Sequence, residues 1–205
     1  MSSLISFLKR LPIDVGQESL KHKTAGKRIA FSFVLEAEKG STGLDIGCRD
    51  GYWSERLKEK GYLVKSLDIE PYYDNAIVHD IEIGLPFADK SFDLVWCTEV
   101  IEHLHKPKYL LDEIERILKL NGQAILTTPN SGWWFYTISR LWGWTPQKLQ
   151  NPDHKQFFRE KDIRRMADGY DVLGYFPYVV RFFPIRSFVG ALSPTFILVR
   201  GAPRG

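Results

Sequence analysis

The stretch LDIGCRDG, residues 44–51, lies where an apolar, strand-like run ends and a helical run begins. Its glycines, Gly47 and Gly51, allow a tight turn and let the backbone come close to a ligand. The helix that follows offers unpaired backbone amides in its first turn. The dinucleotide-binding pattern G-x-G-x-x-G is not met, because Arg49 and Tyr52 occupy its second and third glycine positions. The turn therefore predicts a ligand site at the carboxyl end of a strand, but not the dinucleotide site that the glycine pattern would indicate.

Outward from this turn, short strand-like runs alternate with helical ones. The predicted strands are 42–47, 62–69, 76–79, 92–97, 123–128, 170–180 and 194–200, and the predicted helices are 52–60, 108–120 and 159–168. Such alternation predicts an α/β fold with an open, doubly wound, mostly parallel sheet. About six residues join the second and third strands, fewer than a parallel crossover normally needs. Either the third strand is vestigial, or one face of the sheet is thinly covered.

The predicted organisation is one α/β domain with two additions. Residues 1–40 are predicted to form an N-terminal helical extension, with helical spacing of apolar residues over 20–39 and Gly40 as the stop. Residues 41–205 form the domain itself. Within it, 130–158 are predicted to form an aromatic lid insertion after the fifth strand.

Three aspartates lie near the ends of successive strands. Asp45 precedes Gly47 by two residues, and a carboxylate there suits a cationic ligand group. Asp68 ends the second strand about 20 residues further on, where an acidic side chain can hold both hydroxyls of a ribose. Asp80 follows the third strand and can accept a hydrogen bond from an exocyclic amine. The three carboxylates favour a positively charged nucleoside as the ligand.

These residues carry a family resemblance. LDIGCRDG, the acid of SLDIEP, VHDIEIGLPFADKSFDLVWCTEVIEHL and GQAILTTPN together resemble the class I S-adenosylmethionine-dependent methyltransferases, in particular the ubiquinone-type O-methyltransferase branch. The resemblance spans roughly residues 42–168. It implies a Rossmann-like, doubly wound sheet of seven mostly parallel strands, with the last strand antiparallel. It also implies S-adenosyl-L-methionine as the cofactor, bound by Asp45, Gly47, Cys48, Gly51, Asp68, Ile69, Asp80, Ile81 and Cys97.

In that family, the amino-acid end of the cofactor is bound by the residue that corresponds to Asp45 and by the glycines of the turn. Asp68 corresponds to the ribose-binding acid, and Asp80 with Ile81 to the adenine site. One departure is Arg49, where the family usually has glycine. Its side chain either crowds the methionine moiety or points outward, and this leaves a non-catalytic cofactor-binding or scaffold protein as an alternative.

A cluster of acids and histidines follows the fourth strand. CTEVIEHLH places Glu99, Glu102 and His103 at its carboxyl end, and NPDHKQFF adds His154. The simpler alternative is that Glu102 and His103 only begin the next helix, whose positive end favours acids. Two carboxylates and two imidazoles predict a Mg or Mn site with Glu99, Glu102, His103 and His154 as ligands. In a metal-free version His103 or His154 is the general base, and the candidate catalytic residues are His103, His154 and Glu99.

The same succession of E-x-x-E-H, TPN and H-K-x-F resembles the metal-dependent small-RNA terminal 2′-O-methyltransferases. This implies a second hypothesis, methylation of RNA through the same cluster. Residues 133–205 carry 11 Lys/Arg and 5 Asp/Glu, a net charge of +6, against −3 for residues 1–132. That charge is modest for an RNA-binding surface, and the sequence shows no recognisable RNA-binding module.

The basic rear of the chain is also rich in aromatic residues, with Trp133, Trp134, Trp142 and Trp144 close together. Such a segment predicts an apolar substrate pocket or a lipid-facing surface. The predicted function is therefore S-adenosylmethionine-dependent O-methylation of a small acceptor, aromatic or lipid-like, by direct in-line transfer. A peripheral membrane contact is predicted as an additional partner.

The predicted compartment is the cytoplasm. Cys48 and Cys97 are too few for a disulfide framework and lie in apolar, strand-like runs. The N-terminal sequence has an apolar patch of about five residues before Lys9 and Arg10, which is shorter than a secretory signal and in the wrong order. No run approaches the ~18 apolar residues of a membrane span.

Overall fold

A computed structural model describes residues 24–177 and 182–201, in which helices pack on both faces of a mixed β-sheet. The strands are β1 (Thr42–Ile46), β2 (Leu63–Asp68), β3 (Ala76–Val78), β4 (Phe92–Thr98), β5 (Leu118–Pro129), β6 (Asp171–Pro177), β7 (Phe182–Ile185) and β8 (Thr195–Arg200). The helices are α1 (Ala25–Ser32), α2 (Tyr52–Glu59), α3 (Pro107–Ile117), α4 (Trp134–Ser139), α5 (Pro146–Leu149), α6 (Glu160–Met166) and α7 (Val189–Leu192). Short 3-10 turns lie at Ile81–Ile83, Ile101–His103 and Arg140–Trp142.

The strand order is β3-β2-β1-β4-β5-β8-β6-β7. The first five strands in this order are parallel, and β8 runs antiparallel to both β5 and β6. The predicted doubly wound α/β fold with an antiparallel last strand is therefore confirmed. β1 pairs with β2 on one side and β4 on the other, which makes the carboxyl end of β1 the point where the strand order reverses. In open α/β sheets this is where ligands bind.

One helix boundary and the number of strands differ from the sequence prediction. The helix predicted over 108–120 ends at Ile117, because the chain turns into β5 at Leu118, which pairs with Phe92 of β4. An eighth strand, β7, pairs antiparallel with β6 and was not predicted. β7 contains Pro184, which lacks a backbone N–H and is tolerated at the edge of a sheet.

The N-terminal helix is shorter than predicted over 20–39. α1 ends at Ser32, because the buried amide of Gln123 accepts a hydrogen bond from the backbone N–H of Leu35 (3.2 Å) and donates one to the carbonyl of Phe33 (2.9 Å). These bonds hold the following chain in an extended path across the sheet. Residues 1–23, most of the predicted extension, lie outside the described part of the chain.

The core has two apolar layers, one on each face of the sheet. The larger is built around α3, with Leu110, Ile114 and Ile117 fully buried. A smaller, separate cluster of Trp133, Tyr136 and Leu149 lies in the predicted insertion. The described residues include no helix of the length and apolarity that a membrane crossing requires.

Candidate active site

A cavity of about 950 Å³ opens at the carboxyl ends of β1, β2 and β4. That volume lies within the range of small-molecule and cofactor sites. Of the residues singled out from the sequence, the following line it: Gly47, Asp68, Ile69, Asp80, Ile81, Glu99 and His103. Six other predicted residues do not line it: Asp45, Cys48, Gly51, Cys97, Glu102 and His154. The cavity therefore lies at the end of the sheet where the sequence predicted a ligand site, and it is lined by some of the predicted residues but not by others.

The glycine turn forms one wall of the cavity. Gly47 has φ +74°, and a Cβ at this position would lie 2.4 Å from Cγ2 of Val100, so a side chain does not fit there. Arg49 also has a positive φ, +49°, and its backbone N–H donates to Asp68 Oδ2 at 2.7 Å. Arg49 lines the cavity and its charge lowers the pKa of His103. The Arg49 residue is exposed to solvent.

Asp68 is fixed in place at the end of β2. Its Oδ2 accepts from the N–H of Arg49 and its Oδ1 from the N–H of Glu70, at 3.1 Å. The residue is 9% exposed and lines the cavity. Asp80 instead uses Oδ1 to accept from the N–H of Glu82 at 2.8 Å, which caps the 3-10 turn that follows. Both carboxylates keep acceptor capacity for a ligand, because an ionised carboxylate has about four lone-pair sites.

Asp45 lies behind the glycine turn, although the sequence predicted that it meets the ligand. Its Oδ2 accepts from the hydroxyl of Ser54 at 2.6 Å, and Ser54 contacts the hydroxyl of Ser66 at 2.7 Å. Burial raises the pKa of Asp45 to about 7. Burial likewise raises the pKa of Cys48 to about 12 and that of Cys97, so both thiols stay protonated and unreactive.

The buried carboxyl of Asp45 predicts a pH-dependent stability. In the unfolded chain its pKa is about 3.9, so stability is lost as the pH rises from about 4 to about 7, by on the order of 4 kcal/mol. The Asp45→Asn variant, which keeps an acceptor for Ser54, is expected to be more stable than the parent chain at pH 8 and equal to it at pH 4. Urea unfolding at both pH values measures this. A constant difference between the two proteins at both pH values would contradict it.

Lys27 of α1 is a cavity residue that the sequence reasoning missed. It is 8% exposed. Burial raises the pKa of Asp45 and of Glu102, and the charge of Lys27 opposes that rise. It also lines the cavity. No local sequence signal identifies it, because its position depends on how the N-terminal helix packs.

Glu99 and Glu102 lie in different environments, because Glu99 lines the cavity and Glu102 is buried. Glu99 has a strained φ of +59°; its N–H donates to the carbonyl of Thr127 (2.9 Å) and its Oε1 accepts from the hydroxyl of Thr127 (2.8 Å). Glu102 is 1% exposed, with Oε2 accepting from the hydroxyl of Thr128 at 3.0 Å. Burial, and then the charge of Glu99, raise the pKa of Glu102. Both residues precede α3, so the alternative that Glu102 and His103 only begin this helix is wrong.

Two histidines complete the cluster. The His103 and His154 rings meet edge to face with centroids 4.8 Å apart. His103 Nδ1 lies 3.3 Å from the carbonyl of Asp153, and His154 Nδ1 lies 3.4 Å from Oε1 of Gln150. In both rings Nδ1 is therefore the donor, and Nε2 carries the lone pair. Burial lowers the pKa of His103 and brings that of His154 to about 4, so both rings are neutral at pH 7.

The donor set of this cluster fits a divalent cation. Glu102 Oε1 and His154 Nε2 are 3.9 Å apart, and neither has a hydrogen-bond partner among the described residues. One ligand atom each from Glu102, His103 and His154 lies within 4.8 Å of the others. Two facing lone-pair atoms in a buried site are stabilised by a cation between them. Glu99, the fourth predicted ligand, does not belong to this three-residue group.

The sequence of the chain matches a family profile described as "Methyltransferase domain" over residues 18–172, about three quarters of its length. The chain belongs to this methyltransferase family. The predicted membership of the S-adenosylmethionine-dependent methyltransferases is confirmed, and S-adenosylmethionine is the cofactor that the family implies.

Relatives of known function support the same family. A ubiquinone biosynthesis O-methyltransferase of Idiomarina loihiensis is 28% identical over 169 residues, which cover 73% of this chain and 69% of that enzyme. One of Rickettsia conorii is 27% identical over 173 residues, covering 72% of this chain but only 59% of its own length.

Solved structures share the fold at low sequence identity. A methyltransferase from Archaeoglobus fulgidus has a TM-score of 0.64 at 18% identity and covers 89% of this chain and 96% of its own. A Haloferax volcanii methyltransferase, solved with the Trm112 activator, has a TM-score of 0.62 at 22% identity and covers 92% of each chain.

Proposed function

We propose that this methyltransferase transfers the methyl group of S-adenosylmethionine to a hydroxyl of a small, partly hydrophobic acceptor. The main support is the cavity, in which Asp68 at the end of β2 and His103 after β4 line one continuous space. The names of the curated relatives support oxygen as the acceptor atom. The insertion 130–158 supplies part of the wall near His103, and we propose that it covers the acceptor.

The cofactor is proposed to lie along the β1 and β2 ends. The Asp68 carboxylate would accept hydrogen bonds from both ribose hydroxyls, and Asp80 with Ile81 would contact the adenine. The backbone at Gly47 would approach the methionine end, for which Lys27 offers a positive charge to the carboxylate. This order places the sulfonium next to β4, where Glu99 and His103 lie.

The protein contributes to the reaction by positioning the acceptor hydroxyl and by removing its proton. When bound, S-adenosylmethionine would supply the methyl group, passing it directly to the acceptor oxygen in line with the carbon–sulfur bond and leaving as a neutral thioether. The hydroxyl proton is transferred to Nε2 of His103, which is neutral at pH 7 and held by its Nδ1 contact with Asp153. His154 and Glu102 stand behind this ring.

As the alternative to this base role, a divalent ion is proposed for the same cluster with Glu102, His103 and His154 as ligands, because Nε2 of His103 cannot accept a proton and bind a metal at once. When bound, such an ion lowers the pKa of an acceptor hydroxyl and orients its oxygen. The proposal predicts that chelation followed by added Mg²⁺ or Mn²⁺ first lowers and then restores activity.

Methyl transfer from labelled S-adenosylmethionine to a panel of catechols, alkyl phenols and a short single-stranded RNA tests the proposed function. Labelling of a phenolic hydroxyl is the expected result. Labelling of the RNA alone would replace the small acceptor with the 2′-hydroxyl of a nucleic acid. Calorimetry that detects no S-adenosylmethionine binding at millimolar concentration would contradict the function as a whole.

A further inference from the structure

A second cavity, separate from the candidate active site, lies in the insertion. It has a volume of about 220 Å³ and is lined by Ser131, Gly132, Tyr136, Thr137, Arg140 and Arg159. This volume exceeds the ~30 Å³ that one water occupies in the liquid, so the cavity has room for a small molecular group. None of its lining residues lines the larger cavity.

Two arginines from different parts of the chain converge on this cavity. Arg140 belongs to the 3-10 turn after α4, and Arg159 directly precedes α6. The stem of Arg159 crosses Gly132, since a Cβ built on that glycine would lie 3.7 Å from Cγ of Arg159. Neighbouring guanidinium groups repel each other unless an anion lies between them. Because Arg140 and Arg159 both line the cavity, an anion there would be attracted by both guanidinium groups.

No carboxylate in the described ranges 24–177 and 182–201 forms an ion pair with either arginine. The nearby acids have other partners. Glu160 accepts from Arg164 at 2.8 Å and from the backbone N–H of Gly190 at 2.7 Å. Asp162 accepts the backbone N–H, not the guanidinium, of Arg159 at 3.0 Å.

The remaining lining groups are hydroxyls rather than acids. Ser131 accepts a long hydrogen bond from Gln150 at 3.4 Å, which leaves its own O–H to donate, and Thr137 is exposed. A cavity that combines two guanidinium groups with hydroxyl donors and no carboxylate matches the oxygens of a phosphate group, which arginine binds through two parallel hydrogen bonds. We propose that this cavity is a second binding site of the protein, for a phosphate group.

The surface beside the cavity indicates what the phosphate is attached to. Trp134, Ile138, Leu141 and Trp142 are 45%, 47%, 81% and 65% exposed and lie on the same segment as Arg140. An apolar surface next to a phosphate site suits an amphipathic phosphate ester. Its source is either a soluble ester or the headgroup of an anionic lipid, and both present the same group to the arginines.

The test compares two double variants that remove the same charge. Arg140→Gln/Arg159→Gln alters the cavity, whereas Lys161→Gln/Arg165→Gln alters two exposed residues of α6 outside it. Inorganic phosphate and phenyl phosphate are titrated by calorimetry with S-adenosylmethionine present. Co-sedimentation with phosphatidylglycerol/phosphatidylcholine vesicles, and with vesicles of phosphatidylcholine alone, gives the lipid arm. The Arg140→Gln/Arg159→Gln variant is expected to bind either the soluble phosphates or the anionic vesicles at least about tenfold more weakly, because two charge-assisted hydrogen bonds are lost. The binding of the control variant is expected to be unchanged.

The outcomes distinguish a soluble phosphate ester from a lipid headgroup, and two of them would contradict the site. Loss confined to the soluble phosphates supports a soluble ester, and loss on anionic vesicles supports a lipid headgroup. Equal weakening in the two double variants would show only a general charge effect and would overturn the site. Absence of binding in every arm would also overturn it, and circular dichroism of each variant confirms that a loss is not caused by unfolding.

Discussion

Replacing His103 by alanine is expected to lower kcat by about 100-fold or more, with little change in the affinity for S-adenosylmethionine. Of the two neighbouring imidazoles, His103 and His154, His103 lines the cavity, and its Nε2 is available because Nδ1 contacts the carbonyl of Asp153. The loss is expected whether the ring removes the acceptor proton or binds a divalent ion. Steady-state methyl transfer measures kcat, and calorimetry measures cofactor binding.

Lys108→Ala is the matched control for this experiment. Lys108 lies five residues further along, is exposed in the first turn of α3 and pairs with Asp112, outside the cavity. Added imidazole is expected to restore part of the activity of His103→Ala if the ring acts as a base, because a small base can occupy the vacated space. A His103→Ala variant that keeps more than about a tenth of the parent kcat would contradict any role in proton removal.

The parts of the fold that local sequence patterns determine were predicted correctly. The alternation of strand-like and helical runs predicted the parallel strands. The connection of about six residues between the second and third strands indicated a short third strand, and β3 has three residues. β7 was missed because its proline and short length resemble a loop, and only pairing with β6 makes it a strand. The boundary between α3 and β5 was missed because Phe92, more than twenty residues away, decides where pairing begins.

The candidate site shows the same division. Asp68, Glu99 and His103 line the cavity because Asp68 is the last residue of β2 and the other two follow the carboxyl end of β4. Asp45 lies on β1 itself, and its side chain turns toward Ser54 of α2 instead. Lys27 could not be predicted, since its place depends on how an N-terminal helix packs on the sheet. Local spacing predicts where strands end, whereas the faces that helices cover depend on tertiary contacts.

Asp68→Asn is expected to weaken S-adenosylmethionine binding by about 10- to 100-fold. The carboxylate is held by the backbone N–H groups of Arg49 and Glu70, and it faces the cavity with its remaining lone pairs. Hydrogen bonds to a charged group contribute about 1.5–3 kcal/mol each, and 1.4 kcal/mol is tenfold in affinity. Asparagine keeps the size of the side chain but loses the charge and one acceptor, so KM for the cofactor should rise more than kcat falls.

Asp74→Asn provides the control, because Asp74 is exposed in the same β2–β3 connection and does not line the cavity. Calorimetry with S-adenosylmethionine gives the affinities, and thermal unfolding without cofactor shows whether the loop has been disturbed. A change in unfolding temperature with equal cofactor affinity would assign Asp68 a purely structural role in holding the glycine turn. Weaker binding at an unchanged unfolding temperature requires contact with the ligand, because the two backbone bonds alone cannot produce that combination.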